Sequence, residues 1–418
     1  MTVQKPVPPQ RLSLHWGVDE DVEEISRYTY GGYHPIQLGD VLPPPADTEP
    51  SNSRKYRILS KLGHGSFSTV WLASAQHHSA SGRYFAIKVC VANADPQREL
   101  DVFRLLSSDE GRHVLRLHDS FTIDGPNGTH AVHAFNVLGS FHIVARLARP
   151  HWNPRDLCRQ IAQGLAFLHR HGVVHGDLHM GNIGVSMPQL DDIIEEDLID
   201  RFDPPECTIV FPRQTPARPE SLPPYLVPPT HISELLLKPT AELHIELLDL
   251  GNAIIVGSSS APPACTPAAV CAPEIMFEQV TTSVVTQSAT TASDIWALAC
   301  IMYEIVFNVV LFHLASHDDY LLGKMAAVCG KVPPSWRSFW DSNEHLRKLD
   351  ISQEAADQKW QRKIDNSSAR KGGALSREDF VIFCDLLQRM LKIDPSDRLT
   401  IEEVLAHPWH TQTADNSI

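Results

Sequence analysis

A carboxylate and a carboxamide stand five positions apart in the segment His175-Gly176-Asp177-Leu178-His179-Met180-Gly181-Asn182. Asp177 can accept the proton of an incoming hydroxyl group, and Asn182 can reach a metal ion. Asp249, in Asp249-Leu250-Gly251, follows an apolar run typical of a strand. Its carboxylate suits Mg²⁺, which prefers hard oxygen ligands. These side chains predict metal-assisted transfer to a hydroxyl group, with Asp177 as catalytic base and Asn182 and Asp249 as metal ligands.

A glycine-rich segment upstream has the composition of a phosphate-binding loop. It reads Gly63-His64-Gly65-Ser66-Phe67-Ser68-Thr69-Val70. Glycine lets the backbone approach a phosphate group closely, and the amide groups then hydrogen-bond its oxygens. Lys88 follows in Phe-Ala-Ile-Lys on a predicted strand, where its ammonium group can steady the phosphates. Glu99, the only Glu between Lys88 and Glu110, lies on a predicted helix and could hold Lys88 by an ion pair.

Short β-branched and aromatic runs precede helical periodicity, which predicts an α+β chain with a β-rich N-lobe and a mostly helical C-lobe. Any one of the candidate residues could be an ordinary cap or turn, but their order on these elements favours the chemical interpretation. Five antiparallel strands are expected near residues 56–62, 68–74, 83–91, 115–123 and 130–138, with one helix opening after Asp95-Pro96. Later helices are expected from Pro154 to Gly172 and near 292–308, 379–391 and 400–406.

Composition excludes several classes of protein. The 418 residues carry 50 acidic against 36 basic side chains, a net charge of −14, which disfavours general nucleic-acid binding and suits a basic partner. The eight cysteines lack metal-finger spacing, and Cys90, Cys300 and Cys384 lie in apolar runs, which indicates buried thiols in a reducing compartment. The start of the chain has no apolar signal region, and no run predicts a membrane span, so we expect a cytoplasmic or nuclear protein.

Taken together, the motifs resemble the eukaryotic protein kinase superfamily over residues 54–412. More specifically, the sequence is similar to the SR-protein kinases, as a divergent member of fungal type. The residues that carry this resemblance are GGYHPIQLGDVL before the first strand, FSTVWL in the glycine loop, FNVLG, DLGNA, Ala272-Pro273-Glu274, Asp294-Ile295-Trp296, Arg398 in DPSDRLT and HPWH at 407–410.

The resemblance implies a two-lobed protein kinase fold, ATP as phosphoryl donor with Mg²⁺, and Ser/Thr transfer to Arg/Ser-rich protein substrates. The catalytic residues that it implies are Asp177, Lys88 and Glu99, and the metal ligands are Asn182 and Asp249. It also implies a buried ion pair between Glu274 and Arg398. The nucleotide-binding residues that it implies are Leu62, Gly63, His64, Gly65, Ser66, Phe67, Ser68, Thr69, Val70, Ala86, Lys88 and Leu138.

The expected domain organisation is an N-terminal extension over residues 1–53, with a possible strand at 36–41, then a kinase domain over 54–412 and a tail over 413–418. Within the domain we expect an N-lobe over 54–139 and a C-lobe over 140–412. The C-lobe is expected to carry a Pro-rich, acidic insertion at about 187–243, which we interpret as mobile because long loops cost little closure entropy.

Departures from the family pattern leave two alternatives open. Ser68 replaces the third glycine of the loop, Gly176 replaces an Arg that grips a phosphorylated loop, and His179 replaces a Lys that contacts the transferred phosphate. The first alternative is a catalytically weak or dead scaffold, because a neutral imidazole compensates phosphate charge less well than an ammonium group. The second is a small-molecule phosphotransferase of the aminoglycoside type, which HGDLHMGN also resembles.

Further expectations concern partners and regulation. We expect a monomer that acts on protein without binding nucleic acid or membrane directly. Asp341, Glu344 and Asp350 are candidate contacts for a basic substrate. Because Gly176 has no side chain to grip a phosphorylated loop, we also expect activity without phosphorylation at Ser258, Ser259, Ser260 or Thr266.

Overall fold

The computed structural model describes residues 22–42, 54–76, 83–107, 113–148, 152–202, 204, 207–211, 218–233, 242–258, 261–313, 317–368 and 375–411. The chain divides into two units. The first comprises residues up to 97 together with 115–147 and 186–241, and the second comprises 98–114, 148–185 and the residues from 242 onward. The predicted 413–418 tail lies outside the described residues.

The first unit is built on a six-stranded antiparallel sheet with the strand order β1-β2-β3-β4-β6-β5. The five predicted strands are all present. The sixth strand, β1, pairs Val41 with Arg57 and Leu42 with Tyr56, so the strand expected at 36–41 in fact begins at Val41. The strands of this sheet are β1 Val41–Leu42, β2 Lys55–Gly65, β3 Ser68–Gln76, β4 Tyr84–Cys90, β5 Leu117–Gly125 and β6 Gly128–Phe135.

The described part of the insertion packs into the core of the first unit, which corrects two expectations. Leu190, Leu198 and Ile232 join an apolar cluster with Leu72 and Tyr84 of the sheet. The described part of the insertion therefore contributes buried apolar surface, and composition alone did not predict this role. By its contacts it also groups with the first unit, whereas the sequence placed it in the C-lobe.

The described part of the N-terminal extension, residues 22–42, is likewise a structural part of the first unit. Ile25, Tyr28 and Tyr33 form a buried cluster with Val91 and with Leu226 of the insertion. Ile36 and Leu42 of the same segment enter the main core of the sheet. Smaller strands in this part of the chain are β7 Leu138–Ser140, β10 Thr208–Ile209 and β11 Tyr225–Leu226, of which the last two pair with each other.

The second unit is mostly helical, as expected. Its strands are β8 Val173–Val174, β9 Ile183–Ser186, β12 Ile245–Leu247 and β13 Ile254–Ile255, paired β8 with β13 and β9 with β12. In chain order the helices of both units are α1 Gln97–Leu106, α2 Phe141–Ala148, α3 Pro154–Arg170, α4 Glu195–Asp200, α5 Pro273–Thr282, α6 Thr291–Phe307, α7 Asp318–Cys329, α8 Arg337–Ser342, α9 Gln353–Ser368, α10 Arg377–Met390, α11 Ile401–Ala406 and α12 Pro408–Thr411. Helix α1 groups mostly with the second unit, although the sequence placed it in the N-lobe.

Helices α3 and α6 form the centre of the second unit, and local capping explains their ends. The Asn153 side chain accepts a hydrogen bond from Arg155 N ahead of α3, and Pro154 occupies its first turn. Thr290 and Ser293 form a capping box at the start of α6, and Asn308 ends it in the left-handed conformation. Helix α3 packs against α6, α11, β8 and β12.

Two further predictions were drawn from apolar runs of the sequence, namely buried thiols and the lack of a membrane-spanning segment. Cys90, Cys300 and Cys384 are buried free thiols, as predicted. Across the described ranges, every helix is too short or too polar to span a bilayer.

Candidate active site

The segment that carries Asp177 is fixed by a buried carboxylate from α6. The backbone N–H groups of His175 and Gly176 donate to the two oxygens of Asp294 at 2.8 and 3.0 Å. Nε2 of His169, on α3, lies 3.0 Å from Oδ2 of the same carboxylate. Asp294 is only 2% exposed, so these bonds are shielded from water. The Asp-Ile-Trp motif thus positions the backbone that leads into Asp177.

The two carboxylate oxygens of Asp177 have different surroundings. Oδ2 accepts a hydrogen bond from Nδ2 of Asn252 at 3.2 Å. Oδ1 is buried and has no hydrogen-bond partner among the described residues, although Nε2 of His179 lies 3.8 Å away. Burial raises the pKa of Asp177, while His179, Asn252 and His175 lower it and Asp249 raises it. One oxygen is therefore oriented, and the other can accept a hydroxyl proton.

Asn182 comes directly before β9 and Asp249 lies two residues after β12, and the antiparallel pairing of these strands, with Leu247 opposite Ile183, brings both residues next to the Asp177 segment. Nδ2 of Asn182 donates to the backbone carbonyl of Asp177 at 2.9 Å, and Leu248 N donates to the Asn182 carbonyl at 2.9 Å. Asp249 adopts a left-handed conformation with φ 55°, and its side chain accepts from Gly251 N at 3.3 Å. The second unit thus brings together the three residues that the sequence assigned to transfer and metal binding.

His179 has a defined tautomer because of its own backbone neighbour. Gly181 N donates to Nδ1 of His179 at 3.0 Å, which makes Nδ1 an acceptor and leaves the ring proton on Nε2. The Nε2–H group is the one nearer to Asp177.

Gly176 is required by the local backbone. Its φ is +77°, and a Cβ atom there would lie 2.7 Å from the carbonyl oxygen of Asn252. Thr266 donates through Oγ1 to the Gly176 carbonyl at 3.1 Å. An arginine would not fit this backbone without displacing the Asn252 peptide, which gives a steric reason for the departure from the family pattern.

The glycine-rich loop of the first unit is a hairpin between β2 and β3. Gly63 pairs with Val70, His64 with Thr69 and Gly65 with Ser68. Phe67 at its tip is 70% exposed. Ser66 also lies at the exposed tip.

The remaining predicted nucleotide residues of the first unit lie on or beside the sheet. Lys88 on β4 pairs with Val70 and with His133. Burial, and then the charge of Lys88, lower the pKa of His133 to about 4. The Thr69 side chain is buried and its hydroxyl accepts a hydrogen bond from the Trp71 indole at 2.9 Å, so this hydroxyl is already engaged within the sheet. Ala86 is buried on β4, while Leu62 and Leu138 are half-buried.

Glu99 lies in the first turn of α1 and is 6% exposed. It belongs to the second unit and Lys88 to the first, so their predicted ion pair stays a prediction.

Sequence reasoning missed one residue of this site, Asn252. It stands in the position after Asp249-Leu250-Gly251, where the motif alone does not assign a role. Its hydrogen bond to Asp177 joins positions 75 residues apart. A polar side chain with two amide donors so close to a candidate metal ligand was the available signal.

The predicted ion pair between Glu274 and Arg398 is confirmed. Nη1 and Nη2 of Arg398 donate to the two Glu274 oxygens at 2.9 and 2.5 Å, and the Arg398 side chain is 0% exposed. Arg398 also donates to the carbonyls of Ala292, Lys392 and Ile393. The bidentate geometry and the extra acceptors satisfy the buried guanidinium, which holds the start of α5 in place.

The family comparison agrees with this geometry. The family model described as "Protein kinase domain" matches residues 56–192 and 233–410 of this chain. The unmatched stretch between these two ranges lies within the insertion. The chain belongs to the protein kinase family. Its relatives include the serine/threonine-protein kinase spk-1 of Caenorhabditis elegans, 34% identical over 186 residues, which covers 40% of this chain and 17% of that protein.

Other relatives match along almost the whole chain. The serine/threonine-protein kinase SRPK of Physarum polycephalum is 27% identical over 94% of this chain and 92% of that protein. A serine/threonine protein kinase of Aspergillus fumigatus is 27% identical over 97% of this chain and 96% of its own length. The chain is therefore similar to SR-type protein kinases, and it spans less than a fifth of the length of spk-1.

Proposed function

We propose that this protein is an ATP-dependent Ser/Thr protein kinase. The observation that carries the proposal is the Asp177 carboxylate, because Asn252 orients one of its oxygens while the other is buried without a hydrogen-bond partner among the described residues. An incoming Ser or Thr hydroxyl would supply that missing partner. Asp177 would then orient the nucleophile and take its proton.

ATP and a divalent metal ion are usual in the protein kinase family. We propose Asn182 and Asp249 as the ligands of Mg²⁺, which when bound neutralises phosphate charge. The donor set fits, because the Asn182 amide nitrogen is used by the Asp177 carbonyl and its amide oxygen remains for a cation. In the first unit, we propose that the backbone amides of the glycine loop and Lys88 bind the nucleotide phosphates, and that Glu99 orients Lys88.

The proposed substrates are basic, Arg/Ser-rich protein segments. The net charge of −14 favours a cationic partner, and two relatives are named serine/threonine-protein kinase SRPK and SRSF protein kinase 3. Asp341 and Asp350 are exposed, and hydrogen bonds from Ser352 lower the pKa of Asp350, which keeps it ionised. Glu344 is paired with Lys348 at 3.0 Å, which makes it a weaker candidate for attracting a basic segment.

Two alternatives have less support. A scaffold without activity is suggested only by His179. A small-molecule phosphotransferase does not account for the buried pair of Glu274 and Arg398, which in the resembling protein kinases supports a protein-substrate segment. We further propose a monomer in the cytoplasm or nucleus that binds neither nucleic acid nor membrane directly.

The test is phosphoryl transfer from ATP by purified protein to an Arg-Ser peptide, beside a panel of aminoglycosides. We expect transfer to the peptide alone. Asp177→Ala should lower kcat by about 10² to 10⁴, because a general base contributes about that much, while nucleotide still binds. Asp200→Ala, an exposed carboxylate at the end of α4, is the matched control and should behave as wild type. Near-normal turnover in Asp177→Ala would remove the assignment, and phosphorylated aminoglycosides would favour the alternative.

A further inference from the structure

The N-terminal segment 22–42 contacts the glycine-rich loop through backbone carbonyls of that loop. Oη of Tyr33 donates to the Gly65 carbonyl at 2.7 Å. Arg27 donates through Nη2 to the Ser66 carbonyl. Both donors come from a part of the chain more than thirty residues upstream, so the loop is held by a segment outside its own hairpin.

Peptide geometry links these contacts to phosphate binding. A trans peptide unit points its C=O and N–H groups in opposite directions. Holding the carbonyls of Gly65 and Ser66 therefore turns the N–H groups of Ser66 and Phe67 away from Arg27 and Tyr33. Backbone N–H groups presented in this way are the donors that a glycine-rich loop offers to an anion.

The loop tip is also tied to the end of β4. Val91 N donates to the Phe67 carbonyl at 2.9 Å. Three consecutive carbonyls, those of Gly65, Ser66 and Phe67, are thus hydrogen-bonded to groups outside the loop. Free rotation of these peptide units would cost binding free energy when a nucleotide orders them, because fixing backbone torsions costs entropy.

Arg27 and Tyr33 form a single rigid unit. Nη1 of Arg27 donates to Oη of Tyr33 at 2.9 Å, and the guanidinium carbon lies 4.6 Å from the centre of the Tyr33 ring. Tyr33 N donates to the Arg27 carbonyl at 3.0 Å, which closes a tight turn. A Cβ atom at Gly32 would lie 1.8 Å from that carbonyl oxygen, so the turn requires glycine there. This gives a physical reason for the Gly-Gly-Tyr sequence.

The turn itself is fastened to the sheet. Ala92 N and Asn93 N donate to the carbonyls of Gly32 and Gly31, each at 3.0 Å. Gly31 N donates to the carbonyl of the fully buried Asn127 at 2.8 Å. The contacts to the loop therefore start from a fixed base.

A buried ion pair anchors the beginning of the same segment. Glu23 pairs with Lys61 of β2, and their side chains are 1% and 0% exposed. Tyr28 also donates a hydrogen bond to Glu23. Breaking a buried pair by removing one partner is strongly destabilising, so we expect the segment to remain bound to the sheet.

We propose that Arg27 and Tyr33 are positioning residues for nucleotide binding, which hold the Ser66 and Phe67 amides in a phosphate-binding arrangement before ATP arrives. The inference rests on the proposed function, since it assigns a task to the loop that is proposed to bind ATP. It extends the nucleotide site to a segment that precedes the first strand of the family match at residue 56.

Steady-state kinetics and amide exchange test the proposal. Arg27→Met should raise the KM for ATP about tenfold, because it removes charge-assisted hydrogen bonds, while kcat changes less than about threefold. Tyr33→Phe keeps the ring and should raise the same KM about threefold. Arg27→Lys keeps the charge but not the forked donor geometry, so it should lie between Arg27→Met and wild type. The KM for the peptide should not change.

A second measurement does not depend on turnover. Without nucleotide, the amide hydrogen of Val91, which is bonded to the Phe67 carbonyl at 2.9 Å, should exchange with deuterium faster in Arg27→Met than in wild type, because the loop tip is held less firmly. Tyr30→Phe, in the same segment with a side chain 80% exposed, is the matched control for both measurements. Thermal unfolding identifies any variant that fails to fold, and Tyr33→Phe then decides the question.

The outcomes separate this inference from the function on which it rests. If wild type neither binds ATP nor transfers phosphate, both proposals fail. If wild type is active and the Arg27 and Tyr33 variants match Tyr30→Phe in KM for ATP, the positioning role is wrong and the kinase function stands. A raised KM without faster exchange at Val91 would also overturn the positioning role.

Discussion

At the scale of single residues, the proton affinity of Asp177 depends on a few neighbours. Burial raises its pKa, and the hydrogen bond from Asn252 is one of the contacts that lower it. A general base must be ionised to work, so in the proposed role the pKa of Asp177 would set the acid limb of the pH–rate profile. Asn252 would then be one of the residues that determine the pH range of the reaction.

We expect Asn252→Ala to move the acid limb of kcat to higher pH, because the contact that lowers the pKa of Asp177 is lost. At pH 7 kcat should fall about tenfold or more, because a hydrogen bond to a charged group contributes about 1.5 to 3 kcal/mol. The loss should be larger at pH 6 than at pH 8. Asn252→Asp, which places a like charge beside Asp177, should move the limb further in the same direction. An acid limb that stays fixed in both variants would show that Asp177 is not the titrating base.

Gly176 and Thr266 bear on regulation at the same scale. The unmodified Thr266 hydroxyl already donates to the Gly176 carbonyl, so this contact needs no phosphate group. We expect phosphatase-treated protein to be as active as untreated protein. Thr266→Ala should lower kcat/KM by about fivefold, as the loss of one neutral hydrogen bond does.

A phosphate requirement would contradict this expectation. Mass spectrometry of the active, untreated protein should find no stoichiometric phosphate at Ser258, Ser259, Ser260 or Thr266, of which positions 259 and 260 lie outside the described residues. If activity appears only after phosphorylation at one of these positions, the expectation that the unphosphorylated protein is active is wrong.

At the scale of elements, the short helix α12 carries a buried histidine that should make stability depend on pH. His410 on this helix is 8% exposed, and both of its ring nitrogens are buried without hydrogen-bond partners within the described chain. Burial, followed by His407, Arg159 and Arg155, lowers the pKa of His410 to about 3. Its imidazole therefore stays neutral in the fold, whereas it takes up a proton near pH 6.5 when unfolded.

Because of this difference in pKa, the free energy of unfolding should decrease as the pH is lowered. Above pH 6.5 the His410 imidazole is neutral in both the folded and the unfolded protein, so no stability is lost. Below pH 6.5 only the unfolded protein takes up the proton, and the free energy of unfolding therefore decreases progressively until the pH reaches the folded-state pKa. At pH 5 the loss is about 2 kcal/mol from His410. Urea unfolding at pH 7 and at pH 5 measures this loss of stability. In His410→Gln the difference in unfolding free energy between the two pH values should be smaller by about the same amount. The exposed His142→Gln should leave the difference unchanged, and an equal response in both variants would refute the assignment.

What the sequence predicted among the elements depended on how local the signal was. Asp177, Asn182 and Asp249 fall in short motifs, so their types and spacing were enough to find them. The docking of the insertion and of the N-terminal segment was not foreseen, because it depends on contacts such as those of Asn127, which donates to the carbonyls of Tyr33 and Ser221, each 94 residues away. Periodicity and turn chemistry carry no signal for pairing at such distances.

At the scale of the whole molecule, charge is the property that bears on substrate choice. The chain carries 14 more acidic than basic residues. Such an excess attracts a cationic segment from a distance and raises its local concentration, but it does not by itself define a binding site. Specific recognition would depend on exposed carboxylates such as Asp341 and Asp350. Their contribution can be measured from the salt dependence of the KM for a basic peptide.

We expect the KM for an Arg-Ser repeat peptide to rise by about threefold or more between about 0.01 M and about 0.15 M ionic strength, over which the Debye length shrinks from about 30 Å to about 8 Å. A neutral Ser peptide of equal length should be a poorer substrate and should show little change. Asp341→Asn together with Asp350→Asn should reduce the salt dependence of the Arg-Ser peptide, while Glu344→Gln should have less effect because Lys348 already compensates that charge. Exposed ion pairs are individually weak, so the double variant is the informative one. Salt-independent use of the Arg-Ser peptide, or a preference for neutral peptides, would contradict the electrostatic basis of selection and leave the Ser/Thr kinase assignment without a substrate class.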